Sequence, residues 1–211
     1  MFEISVNKIM PDRIHKIVVL GDSCVGKTTL IQSYANERYT SSCQATIGVD
    51  LVMKNVNLNG RIISVQIWDT AGMERFQSIA ANMYRDSDCC VLVYDVTSPD
   101  SFTNLDMWHT DFLKSISPID TTRFPFVMIG NKADLNDYNV SAEEVRQWCK
   151  LNNNIPHFEI SAKDSRHVED AFRIASKLAM DYAQERGLSE ADFPTTLEMD
   201  GLNQKKKCCC I

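Results

Sequence analysis

Gly21-Asp22-Ser23-Cys24-Val25-Gly26-Lys27-Thr28 fits the pattern G-x-x-x-x-G-K-[ST]. At that spacing, backbone amides and the positive end of a following helix can cradle phosphates. In this chemistry Lys27 spans the outer two phosphates, Thr28 supplies a hydroxyl for magnesium, and Thr29 continues the nucleotide-facing turn. Asp69, in Ile67-Trp68-Asp69-Thr70-Ala71-Gly72, can hold the same ion through water. Gly72 has no side chain, so its amide can approach a terminal phosphate and swing away when that phosphate leaves. Farther on stand Asn131-Lys132-Ala133-Asp134 and Ser161-Ala162-Lys163. A carboxylate accepts from two adjacent N–H donors, a pair that guanine presents and adenine does not. Asp134 is therefore expected to select guanine, with the Lys132 stem over the ring and the Ala162 amide on the base oxygen.

These groups can act together only if the chain brings them to one edge. Arg13 to Leu20 runs into the β-branched stretch Ile17-Val18-Val19-Leu20 and predicts a buried strand, with a helix over Gly26 to Asn36. Leu51 to Leu58 and Ile62 to Trp68 alternate on either side of Asn59-Gly60, which suits a type I′ turn and hence an antiparallel hairpin. Cys89 to Tyr94, Phe126 to Ile129 and His157 to Ile160 are short apolar runs. Each is followed by a helical stretch: Ser101 to Ile116, Ser141 to Leu151 and Val168 to Glu185. Ser141 with Glu144 predicts a capping box in which the hydroxyl meets the third amide of its helix. Such alternation predicts an α/β fold: a six-stranded, mostly parallel sheet with one antiparallel edge strand and helices on both faces. Ligands then bind beyond the carboxyl ends of the strands.

The composition agrees. With 211 residues, 44% of them hydrophobic, the chain suits one globular domain, expected over 13–186 after a short extension, 1–12. A net charge of -6 gives no electrostatic reason to coat nucleic acid. No apolar run reaches the length of a spanning helix and no signal peptide opens the chain, which predicts a cytosolic origin. Cys24, Cys43, Cys89, Cys90 and Cys149 include no C-x-x-C pair and read as reduced, buried apolar thiols. From 187 to 211 the periodicity decays, which predicts a flexible tail ending in Lys205-Lys206-Lys207, then Cys208, Cys209, Cys210 and Ile211.

GDSCVGKT, ATIG, WDTAGMERF, GNKAD and SAK occur here in the order in which they occur in Ras-like small GTPases. IGVDL with IWDTAGMERF resembles the Rab family of vesicle-traffic switches, and WHTDFLKSISP and WCKLNNNIPHFEISAK resemble its Rab-seven subgroup of late endosomes, lysosomes, vacuoles and phagosomes. The resemblance spans about Arg13 to Glu185. It implies a GTP/GDP switch with magnesium, an exchange factor, a GTPase-activating protein, a GDP-dissociation inhibitor, a prenylation escort and effectors on the GTP form. It makes Thr46 the switch threonine, its hydroxyl on magnesium and its amide sensing the γ-phosphate, and it sets Tyr39 beside the base. Terminal Cys208, Cys209 and Cys210 resemble a prenylated end, where two lipids, or one lipid with a basic patch, hold a membrane stably.

Departures from the family pattern carry their own expectations. Met73 stands where the family has the glutamine that orients the attacking water, and a thioether cannot position water as an amide can, so slow intrinsic hydrolysis is expected. An activating protein that brings its own arginine and glutamine would bypass the defect. Cys24 replaces a glycine common in the phosphate loop. The resemblance implies an effector surface of Ile47, Leu51, Trp68, Phe76 and Met83; of its three customarily aromatic positions, here Leu51, Trp68 and Met83, only Trp68 is aromatic. Two rivals stand beside a hydrolysing traffic switch: a GTP-bound scaffold with little turnover, favoured by Met73, and a P-loop kinase or ATPase, disfavoured by Asn131-Lys132-Ala133-Asp134.

Overall fold

The computed structural model describes residues 13–36, 49–70, 83–116, 121, 123–135, 137–164 and 167–187. In chain order these form β1 (Ile14–Leu20), α1 (Lys27–Asn36), β2 (Val49–Leu58), β3 (Arg61–Thr70), β4 (Cys89–Asp95) and α2 (Pro99–Thr103). There follow α3 (Leu105–Ser115), β5 (Phe126–Asn131), α4 (Ala142–Leu151), β6 (His157–Glu159) and α5 (Val168–Glu185). The strands make one six-stranded sheet in the order β2-β3-β1-β4-β5-β6. Only the β2–β3 pair is antiparallel, so β2 is the antiparallel edge. Asn59 and Gly60, with φ of +55° and +92°, turn that hairpin as their types predict.

Period-two alternation in β1 builds the two layers. Ile17 and Val19 join one cluster with Leu30, Ile31 and Tyr34 of α1 and Phe172 and Ala175 of α5. Val18 and Leu20 join the other, with Leu105, Trp108 and Phe112 of α3 and Val145 and Cys149 of α4. Central β4 is buried throughout, because a parallel strand with helices on both faces has no wet side. Each fully buried branched side chain there contributes about 1.5–3 kcal/mol of transfer free energy.

Three local expectations change. The expected helix over Ser101 to Ile116 starts earlier and is interrupted: Ser98 caps it, Pro99 opens its first turn, and the regular pattern breaks at Asn104 between α2 and α3. Ser141 caps α4, but its hydroxyl accepts from the second amide, that of Glu143 at 3.3 Å, and not from the third. Cys89, Cys90 and Cys149 are buried as expected, whereas Cys24 is exposed. A φ of +65° at the tip of its loop turns the Cys24 side chain outward, away from any core. Cys43 lies outside the described residues.

Candidate functional site

The carboxyl ends of β1, β3, β4 and β5, with the turn after β6, converge on one edge of the sheet. After β1, Gly21 (φ +145°) sits so close to β4 that a Cβ would collide with the Val93 carbonyl. Gly26 (φ +94°) meets the Asn131 side-chain amide in the same way. The two pattern glycines are therefore the places where neighbouring strands press on the loop. Between them Asp22 is half-buried, Ser23 and Cys24 lie exposed at the tip, and Val25 is buried beneath. Lys27, 5% exposed, donates from Nζ to the carbonyls of Gly21 and Asp22, both at 2.7 Å. Its ammonium is thus carried across the loop by the first turn of α1, where Thr28 and Thr29 follow half-buried.

The Thr28 hydroxyl donates to Asp69 Oδ2 at 2.5 Å. Asp69 is buried near the end of β3, in register with Val19 of β1. Two hard oxygen ligands side by side at the mouth of a phosphate loop fit magnesium in chemistry and charge. Strand β3 runs on to Thr70, two residues past the expected end, and the Thr70 hydroxyl donates to the Val19 carbonyl at 2.8 Å, which keeps Asp69 in place.

At the far side of the loop, Asn131 acts as a clamp. Its Nδ2 donates to the Val25 carbonyl at 2.8 Å and its Oδ1 accepts from the Ala162 N–H at 3.2 Å, joining the phosphate loop, β5 and the turn after β6. The Ala162 amide is expected to meet a base oxygen, so it would share its hydrogen between that oxygen and Asn131. Asp134 accepts from the Ser161 hydroxyl at 2.8 Å, with the Lys163 ammonium 3.8 Å from its other oxygen. Lys132, at φ +65°, reaches Asp95 Oδ2 at 2.5 Å. Burial pushes the Asp95 carboxyl up, but the Lys132 ammonium and the Thr97 donors outweigh it and hold the group below its ordinary range.

Sequence reasoning missed these supports: the two-ended bonding of Asn131, the Asp95 anchor for Lys132, and the Trp108 and Asn104 bonds to Asp22 described below. Asp95 was the most accessible of them, being an acid that ends a buried strand at the ligand edge. Of the residues expected to form an effector surface, Leu51 and Trp68 are direct cross-strand partners. Leu51 is 43% exposed, while Trp68 is half-buried, with the Lys16 ammonium 4.2 Å from its ring and its own N–H donated to Gln66 at 3.0 Å. Met83 is half-buried against the second core cluster. Tyr39, Thr46, Ile47, Gly72, Met73, Phe76, Cys208, Cys209 and Cys210 lie outside the described residues.

A glycine-gated phosphate loop, a lysine threaded through it and a strand-end Asp on the Thr28 hydroxyl define a P-loop nucleotide-binding protein. The pattern that defines the Ras family matches residues 16–181. The chain is 47% identical over 190 residues to Ras-related protein Rab7 of Drosophila melanogaster, covering 90% of this chain and 91% of that protein. It is 46% identical over 194 residues to Ras-related protein Rab-7a of Paramecium octaurelia, covering 92% and 93%. To Ras-related protein RABG3f of Arabidopsis thaliana it is 45% identical over 207 residues, covering 95% and 99%. The chain belongs to the Ras family, in its Rab branch and among the Rab7-like proteins. It binds guanine nucleotide and hydrolyses GTP to GDP and phosphate, as a Rab GTPase of vesicle trafficking served by regulators and effectors.

Proposed function

We propose that this GTPase is a magnesium-dependent, prenyl-anchored switch of late endosomal, lysosomal, vacuolar or phagosomal membranes whose intrinsic hydrolysis is slow. The contact of Thr28 with buried Asp69 at 2.5 Å carries the magnesium reading, since it pairs two oxygens suited to that ion beside the phosphate loop. Thr28 would hold the ion directly, Asp69 through water, and Thr46 in the GTP form. When bound, the ion neutralises charge on the phosphate oxygens.

The protein's own groups supply the rest. Loop amides from Gly21 to Thr28 and the N-terminus of α1 cradle the phosphates, and the Lys27 ammonium offsets the negative charge that develops on them. Asp134 reads the guanine edge while Lys132, braced by Asp95, covers the ring. Thr46 and Gly72 respond to the γ-phosphate, so that effectors on Ile47, Leu51, Trp68, Phe76 and Met83 bind the GTP form. Met73 leaves the attacking water without an amide to orient it, which also favours a second reading, a long-lived GTP-bound scaffold. Residues 13–186 form the GTP-binding domain. The 187–211 tail carries the lipids on Cys208, Cys209 and Cys210, and exchange factor, GTPase-activating protein, GDP-dissociation inhibitor and prenylation escort are the expected regulators. No helix among the described residues is long and apolar enough to cross a membrane.

Two measurements on the full chain test this. Chelating magnesium from the GDP-loaded protein should speed nucleotide release, and an unchanged rate would remove the metal from the reading. Replacing Cys208, Cys209 and Cys210 should leave nucleotide binding intact and abolish endosomal membrane association in cells. Continued association would remove the lipid anchor.

A further inference from the structure

Trp108 is 7% exposed, its ring within the α3-side core, yet its one polar atom leaves that core. Its indole Nε1 donates to Asp22 Oδ1 at 2.7 Å. Asn104, at the break between α2 and α3, donates its Nδ2 to Asp22 Oδ2 at 2.7 Å. That amide caps neither helix, so the bond to Asp22 is what its side chain does at this position. Each oxygen of one carboxylate, in the second residue of the phosphate loop, is thus taken by a neutral donor from the helix after β4. The backbone carbonyl of the same Asp22 receives the Lys27 ammonium at 2.7 Å.

An acidic side chain beside a site for a polyanion is an electrostatic liability. Left untethered, it repels the phosphates, competes with them for Lys27 and lets the loop backbone rotate. We propose that Trp108 and Asn104 are positioning residues for nucleotide. By holding the Asp22 carboxylate on the α3 side, they set the carbonyl on which Lys27 rests and keep the loop in its phosphate-binding shape. The inference rests on reading Gly21 to Thr28 as the phosphate loop. It gives a role to the Trp108 segment that the nucleotide motifs leave unexplained.

The test is the rate of GDP release from the full, magnesium-loaded protein, measured for Trp108→Phe, Asn104→Ala, Asp22→Ala and the two doubles with Asp22→Ala. A hydrogen bond to a charged group is worth enough that each of the first two should speed release about tenfold or more. In the Asp22→Ala background neither should speed it further, because no carboxylate is left to tether. Equal acceleration with and without Asp22 would show a general packing effect and overturn the proposal, as would unchanged release from the single variants. Should Trp108→Phe fail to fold, the Asn104 cycle decides alone, since that exposed amide supports no core. A wild-type protein that does not retain GDP would instead sink the phosphate-loop reading itself.

Discussion

The side-chain amide of Asn131 donates to the main-chain carbonyl of Val25 at 2.8 Å, across 106 positions of sequence. One bond thereby locks the phosphate loop to the strand whose end leads to Lys132 and Asp134, the residues proposed to read the base. Because Asn131 is 2% exposed, removing its amide leaves the Val25 carbonyl short of a partner in a dry place and takes from the Ala162 N–H the acceptor that holds it in position. Asn131→Ala should therefore speed GDP release by about 10–10³-fold, from roughly 1.5–4 kcal/mol of lost bonding, while guanine remains preferred over adenine. Release rates for GDP and ADP check both halves.

Asp134→Ala should act differently. Loss of the carboxylate would remove the paired bonds proposed to guanine N1–H and its exocyclic amine, worth about 2–4 kcal/mol together. GTP affinity should fall by about 30-fold or more, whereas ITP, which lacks the exocyclic amine, should lose less. Competition binding with the two nucleotides measures the ratio. An unchanged GTP-to-ITP preference contradicts the role given to Asp134.

Met73→Gln should raise intrinsic GTP hydrolysis by about 10–10³-fold with GTP affinity nearly unchanged, since a water-orienting amide acts mainly in the transition state. An activating protein that inserts its own glutamine should narrow the gap. Single-turnover hydrolysis with and without that activator measures both effects, and identical intrinsic rates would clear Met73 of limiting turnover.

His157 lies within 3.1 Å of the Tyr94 hydroxyl, and burial pushes its imidazole down to about 4. With the folded pKa below the unfolded value, stability is full above about pH 6.5 and falls as pH drops towards 4, because the unfolded chain takes up the proton first. Asp88 slopes the opposite way. Burial raises its carboxyl to about 6, outweighing its bonds from the Lys16 N–H and Arg13, so stability falls as pH rises from about 4 to 6. His157→Gln keeps a hydrogen-bonding partner for Tyr94 and leaves Asp88 alone. Between pH 7.5 and 5.5 wild type should lose about 1 kcal/mol that the variant does not, read as the difference between their melting curves.

Cys24→Gly should stabilise the fold. A side chain at φ +65° carries left-handed strain of about 1–2 kcal/mol, and the exposed thiol contributes no packing in return. Glycine's extra freedom in the unfolded chain offsets part of the gain, leaving a net of about 0.5–1 kcal/mol, or a melting rise of roughly 1–4 °C. Thermal unfolding of the GDP form measures it.

Read from residues alone, the P-loop pattern of Gly21 to Thr28, the hairpin at Asn59-Gly60 and the α/β order were legible, because each depends on contiguous backbone. A loop of amides, a turn at positive φ and a strand buried on both faces write themselves into neighbouring residues. Asp69 and Asp134 were legible for a related reason, since strand ends in such a fold point to one edge. The bonds of Asn131 to Val25, Lys132 to Asp95 and Trp108 to Asp22 were not. Each joins positions far apart in the chain, through a donor whose residue type does not by itself name its partner. Which partner it meets is decided by the strand order β3-β1-β4-β5 and by the side of the sheet on which α3 packs. The outward turn of Cys24 likewise goes with the loop's positive φ at that residue, which no thiol preference predicts.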